Sequence, residues 1–294
     1  MVTTMVDIRK RPRLGRVRLS LDRKVTPFAV QKGERLNNEI SRGIRNTFGL
    51  PSVISCSDGM TKFCDDCYAS SIEDIPSVSD KMWHNWMTFK PHLDDSDELL
   101  RLLEPMVAES VDEFERANFS ENDWIFRHFW DGDVPSVAFF DALVRLADCF
   151  SDVQFWVYTR SFGHVWDWML DNGAEGWVEL PDNFSLYFSV DRYNVDRLKT
   201  LGLANNDHGK WQYAFCADTF DEAALLAESI GQNPMLKCPE QTGRYDLVEW
   251  TDTTVTERGK RVGRGACASC RWCVDGRGNV QFAVHPEPYK ADIG

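Results

Sequence analysis

From residue 124 onward, short aromatic or β-branched runs alternate with helix-like stretches, and this alternation limits the possible folds more than any other feature. The runs are WIFRHF (124–129), VQFWVYT (153–159), FSLYFSV (184–190), WQYAFCA (211–217) and PMLKC (234–238). Between them lie SVAFFDALVRLADCF (136–150), HVWDWMLDNG (164–173), which ends in an Asn-Gly stop, and FDEAALLAESIG (220–231). Strand and helix recurring roughly every 25–30 residues is the βαβ pattern of a parallel sheet, because parallel neighbours need a crossover between them. Upstream, LPSVIS (50–55) reads as another strand, followed by helices over about 73–91 and 97–117. DLVEWTD (246–252) and NVQFAVH (279–285) are later strand candidates. No linker rich in Pro, Gly or Ser cuts the chain and no repeat is visible, so residues 25–294 form one domain behind a basic arm, 1–24. The expected class is α/β, a complete or partial (β/α) barrel with a cysteine-rich C-terminal extension. An open nucleotide-binding sheet lacks its G-x-G-x-x-G signature here.

In either architecture ligands bind at the C-terminal ends of the strands. Those ends supply Asp131, Gly132 and Asp133; Thr159 and Arg160; Ser189 and Asp191; Asp218; and Cys238 with Glu240. Arg160 is the candidate for a bidentate grip on a carboxylate or phosphate, Asp133 and Asp191 for proton handling or ligand orientation, and Thr159 and Ser189 for cofactor contacts. A bland reading competes, since strand ends are polar wherever turns are, and an Arg is more often paired with an acidic neighbour.

Nine cysteines add a second constraint. GRGACASCRWCVDGRG (263–278) spaces Cys267, Cys270 and Cys273 three apart, and Cys238 is followed by Pro239. A tight C-x-x-C-x-x-C run completed by a remote Cys-Pro resembles bacterial ferredoxin ligation, so these four are assigned to a [4Fe–4S] cluster. Zinc is the runner-up, since four thiolates also suit a tetrahedral site, with His84 and His128 as further possible ligands. A second group, Cys56, Cys64 and Cys67, has three thiols, which on a cubane leaves one iron open to a ligand. One or two centres are therefore expected, with the two groups meeting at the mouth of the sheet. Cys149 and Cys216, standing singly, read as core.

Charge and hydropathy narrow the partners. Residues 1–24 carry eight Lys or Arg against two Asp, a net +6, which leaves −19 for the rest of a chain whose total is −13. An acidic body repels phosphate backbones and argues against general nucleic-acid binding, while the arm could dock an acidic or host partner. No apolar run approaches the ~20 residues of a bilayer span, and the N-terminus lacks the apolar core of a signal peptide. An intracellular protein with reduced thiols is expected, which favours metal ligation over disulfides.

LPSVISCSDGMTKFCDDCYAS, FRHFWDGD, FWVYTRS, CPEQTG and the final cysteine run together resemble the actinobacteriophage family named after mycobacteriophage gene product 88. The resemblance covers roughly residues 45–275, and departs at Ser57, where the family pattern usually has Pro. It implies a phage protein acting in the host cytoplasm. A more distant similarity, to radical S-adenosylmethionine enzymes, rests on pairing a three-cysteine loop with a barrel. It implies S-adenosylmethionine as a candidate cofactor and a small molecule or nucleotide as ligand. The usual C-x₃-C-x₂-C loop with an aromatic before its last cysteine is altered here: the first gap is seven residues, Tyr68 follows Cys67, and no Gly-Gly-Glu stretch is present. The expectation is thus an iron–sulfur protein, radical-type or redox, against a non-catalytic phage protein whose metal site is structural or sensory.

Overall fold

The computed structural model describes residues 16–31, 43–67, 70–173, 179–205, 211–233, 236–251 and 260–284. Residues 1–15 of the basic arm, Tyr68, residues 234–235 and His285 lie outside them. In chain order the strands are β1 (Pro27–Gln31), β2 (Ile125–His128), β3 (Gln154–Thr159), β4 (Phe184–Val190), β5 (Trp211–Ala217), β6 (Leu236–Lys237), β7 (Val248–Thr251), β8 (Lys260–Gly265) and β9 (Val280–Ala283). The helices are α1 (Ser52–Ser55), α2 (Ser70–Glu73), α3 (Pro76–Phe89), α4 (Ser96–Ala117), α5 (Val137–Cys149), α6 (Phe162–Asn172), α7 (Val195–Thr200), α8 (Phe220–Glu228) and α9 (Ala266–Cys270).

Six strands form one parallel sheet in the order β2-β3-β4-β5-β9-β6. The βαβ rhythm predicted from residue 124 is present strand for strand up to β5. The sheet ends on β2 and β6, and among the described residues no ladder joins these edges into a barrel. β1, β8 and β7 make a separate antiparallel sheet that the sequence pattern did not reveal beyond β7.

LPSVIS is not a strand. Its Ser52–Ser55 portion is helix α1, while the extended segment lies earlier, at residues 46–50. There it lines the outer edge of β2, where Arg127 N–H donates to Asn46 O (3.0 Å) and Trp130 N–H to Phe48 O (3.0 Å). Beyond β2, Leu50 N–H reaches Asp131 O (3.0 Å). Pro51 then ends the extension and opens the helix, since its fixed φ suits a helix start and it has no N–H to offer the edge. Two stretches of short apolar sequence separated by a proline read alike in one dimension.

The period-2 alternation of the strands sorts two faces. Phe126, Phe155, Val157, Leu186, Phe188, Tyr213 and Phe215 point into the main core against α4, α5, α6 and α8. The opposite face carries Ile125, Trp156, Tyr158, Tyr187, Ala214 and Val280, and is covered by Val25 and the segment that bears Cys267 and Cys273. With both faces buried, the parallel sheet is stabilised throughout by apolar burial. Val17 and Leu19 also enter the main core, so residues 16–24 of the basic arm are built into the fold. Among the described residues no helix is long and apolar enough to cross a membrane.

His128 sits wholly inside this core, its ring parallel to Phe155 at 5.2 Å and close to Phe48, Phe126 and Phe184. Neither ring nitrogen has a hydrogen-bond partner. Burial lowers its pKa from 6.5 to about 3. Because the folded value lies below the unfolded one, the fold keeps this histidine neutral while the unfolded chain takes up a proton as pH falls. Stability is therefore intact above pH 6.5 and is lost progressively between there and pH 3, about 2 kcal/mol of it by pH 5. His128→Phe should flatten that acid limb, so that urea unfolding at pH 7 and pH 5 gives a smaller stability difference than in the wild type. An unchanged difference would show that the histidine is not kept neutral.

Candidate metal and ligand site

The C-terminal edge of the sheet gathers most of the strand-end residues expected from sequence. Asp133 is buried, and its carboxylate accepts from Thr159 Oγ1 (2.6 Å), Arg160 N–H (2.7 Å) and Val134 N–H (2.7 Å). Burial raises its pKa, and these three hydrogen bonds oppose the shift. The Thr159 hydroxyl accepts in turn from Ser161 N–H at 3.0 Å. Asp191, with no exposed surface, accepts from Tyr193 N–H (2.6 Å) and Asn194 N–H (3.2 Å), and it pairs with the Arg160 guanidinium. Ser189 contributes its carbonyl, which accepts from Asn194 Nδ2 at 2.9 Å. Asp218 stands apart, paired on the surface with Arg192.

The Cys56–Cys67 loop docks on this edge. Arg160 Nη2 donates to Thr61 Oγ1 (2.9 Å), Nε approaches Gly59 O (3.4 Å), and the guanidinium lies 5.3 Å from the Phe63 ring centroid. The approach requires glycine at position 59, where a Cβ would lie 2.6 Å from Arg160 Cβ. A second arginine, Arg197, reaches Asp58 Oδ1 at 2.5 Å, while Gly163 N–H donates to Asp58 Oδ2 at 2.8 Å. Burial, then the Asp133 charge, pushes the Cys56 thiol up, with smaller contributions from Asp131 and Cys64. Asp131 is itself raised to about 7, by burial and then by the neighbouring Glu73. Arg160 is thus engaged by Asp191, Thr61 and Asp133. Sequence spacing could not reveal these partners, which lie up to 99 residues away.

Cys267 and Cys273 lie over one face of the sheet, against Trp156, Tyr158 and Tyr187. Cys267 and Cys270 are one turn apart on α9, hence on one side of it. Arg271 follows in the left-handed region (φ 57°) and turns the chain so that Cys273 packs against Tyr158, Tyr187 and Cys238. Cys238 is placed by β6, its N–H donating to Gln281 O on β9 at 3.0 Å. Cys267 N–H donates to Lys24 O (2.7 Å), and Lys24 Nζ pairs with Glu240 at 2.9 Å beside Cys238. Cys273 feels Cys238, Cys270 and Arg127, and Cys267 feels Cys273, Arg127 and Cys238. Burial pushes the Cys273 thiol up to about 12 and Cys267 well above its usual range. As bare thiols they are poor nucleophiles at neutral pH.

All nine cysteines are free of disulfides. Cys216 is half-buried near Arg160, whereas Cys149, expected in the core, is exposed beside Glu104 at the end of α5. Neither His84, which bonds Arg16 O, nor His128 joins a cysteine group. Among the described residues no group of three or more His, Cys, Asp or Glu side chains is placed to hold a metal ion.

Fold and site together define a parallel α/β protein whose cysteine-rich C-terminal excursion crosses one face of the sheet. The sequence profile of the family described as Gene product 88 matches residues 21–276. The Gene 88 protein of Mycobacterium phage D29 is 33% identical over 278 residues, covering 92% of this chain and 99% of that protein. The Gene 88 protein of Mycobacterium phage L5 is 33% identical over 277 residues with the same coverage. The chain belongs to this bacteriophage family. No solved structure matches it.

The Arg160–Asp191 pair should dominate the stability of this edge. Asp191→Ala leaves a largely buried guanidinium unpaired and should cost about 3 kcal/mol in urea unfolding. Asp191→Ala combined with Arg160→Met should recover part of that loss. If the single variant unfolds like the wild type, the pair does not hold the edge together.

Proposed function

We propose that this chain is an iron–sulfur protein in which Cys238, Cys267, Cys270 and Cys273 hold a [4Fe–4S] cluster against the face of the sheet. The observation that carries the reading is the neighbourhood of Cys238, Cys267, Cys270 and Cys273, brought together from two segments and flanked by Lys24 and Arg127. Each cation is paired with a carboxylate that faces the same thiols, Lys24 with Glu240 and Arg127 with Asp22. Zinc, which gathers four thiolates at about 2.3 Å from a common centre, is the competing metal.

Cys56, Cys64 and Cys67 would hold a second, three-thiolate centre at the sheet edge, with one coordination position left for a small molecule or nucleotide. S-adenosylmethionine is the first ligand to try. In this reading Asp133, Thr159, Arg160 and Asp191 hold the loop and strand ends, and Ser189 borders the same edge. A bound centre supplies redox or ligand-activating chemistry, while the chain's own groups orient the loop and exclude water.

A second, non-catalytic reading is favoured by one observation: the polar strand-end side chains are hydrogen-bonded mainly to one another and to the loop. The metal would then be structural or sensory, with the N-terminal arm docking a host protein. Turnover or binding assays with S-adenosylmethionine against pull-downs with and without residues 1–15 separate the two.

Anaerobically purified protein should contain iron and sulfide and show a broad absorption shoulder near ~400 nm. Stoichiometric zinc without sulfide would overturn the assignment. Cys270→Ser should lower metal content and melting temperature together, because metal-binding free energy here becomes folding free energy. Changing Cys56, Cys64 and Cys67 to Ala should remove roughly half the iron and leave the protein folded.

A further inference from the structure

We infer that Arg160 is a positioning residue for the three-cysteine loop, acting through Thr61 to set the place of Cys64. The placement of thiols by this route stands on geometry alone; its use for a metal centre rests on the proposed function above.

The route can be followed bond by bond. Arg160 is anchored at its own N–H by Asp133 (2.7 Å) and at its guanidinium by the fully buried Asp191. So fixed, Nη2 donates to Thr61 Oγ1 at 2.9 Å. That same oxygen accepts from Phe63 N–H (3.3 Å), which makes Thr61 the cap of the short 3-10 turn Lys62–Asp66. Cys64 lies within the turn, its N–H donating to Thr61 O at 2.9 Å, and Cys67 ends it, its N–H donating to Cys64 O at 3.1 Å. Phe63 closes the arrangement by presenting its ring to the guanidinium. A turn of five residues has little stability of its own, because its few hydrogen bonds must offset the ordering of the chain. Its order therefore comes from Arg160, with a longer bond from Thr61 Oγ1 to Asp191 Oδ2 (3.5 Å) beside it.

The same geometry explains why this position needs arginine. The guanidinium donates in several directions from one plane and so meets Asp191, Thr61 and Gly59 at once, while stacking on Phe63. A lysine ammonium has the charge without that plane and meets fewer of them.

The test uses the metal-free full-length protein, with iodoacetamide as the probe and mass spectrometry to read labelling at each cysteine. Thr61→Val keeps the shape and the Arg160–Asp191 pair but removes the cap. It should raise the labelling rates of Cys64 and Cys67 by about fivefold, the population change that follows loss of one capping hydrogen bond. Labelling of Cys267, Cys270 and Cys273 should stay as in the wild type. Arg160→Gln should do the same or more, and Arg160→Lys should fall between it and the wild type. If Arg160→Gln unfolds, shown by labelling of all cysteines, Thr61→Val decides alone. Equal labelling of Cys64 and Cys67 in Thr61→Val and wild type overturns the inference. Wild-type protein without iron, together with the expected labelling pattern, overturns the metal reading and leaves the positioning role standing.

Discussion

The structure depends on where β9 enters the sheet. It arrives last among the described strands, yet it pairs through Val280 with Ala214 of β5 on one side and Leu236 of β6 on the other. β6 is two residues long, and among the described residues β9 is the strand that pairs with it and holds the segment bearing Cys238. Both pairings are parallel, so the chain between them must leave the C-terminal end of β6 and travel back to the N-terminal end of β9. That return carries β7, β8 and α9 across the face, and it lays Cys267 and Cys273 over Trp156, Tyr158 and Tyr187 just before β9 begins. One strand insertion thus brings a remote Cys-Pro and a Cys run to the same place.

Sequence made the parallel sheet legible because each strand is a short apolar run bounded by helix signals, and burial on both faces requires such runs. It misplaced the first edge segment because the apolar stretch before Pro51 and the one after it differ only in backbone state. It missed β8 and most of the small sheet because KRVGRG lacks an apolar alternation, its pairing with β1 being carried by backbone hydrogen bonds. Asp133, Thr159, Arg160 and Asp191 lie together at the C-terminal edge with Asp218 apart from them, and their mutual engagement is not visible in one dimension. Asp133 and Arg160 are 27 residues apart and Thr61 and Arg160 are 99 apart, and no local spacing encodes such contacts. Cys149 shows the converse error, since a lone cysteine near the end of an amphipathic helix can fall on either side of the boundary.

The two cysteine groups occupy physically different settings. The group on the face packs among aromatic rings, with backbone hydrogen bonds from Cys238 and Cys267 to β9 and to Lys24. The group at the edge rides on a loop whose order comes from side-chain contacts, with Met60 exposed on it and Ile54 beside it. Loops fastened to a rigid edge are where binding sites arise, because the sheet fixes the base while the loop remains open to solvent.

Lys24 and Arg127 tie the N-terminal segment to the cysteine group on the face of the sheet. Both lie beside the thiols and are themselves fixed, Lys24 by Glu240 and Arg127 by Asp22 at 2.7 Å. Lys24 and Asp22 belong to the run that composition marks as a basic arm, and Val17 and Leu19 of that run are core residues. Four of the arm's eight cations, Arg16, Arg18, Arg23 and Lys24, therefore sit on chain that is part of the fold. A docking role for the arm concerns residues 1–15, where the other four are found. Deleting those fifteen residues would test docking without touching the cations that flank the thiols, whereas deleting twenty-four would remove a core segment and Lys24 together.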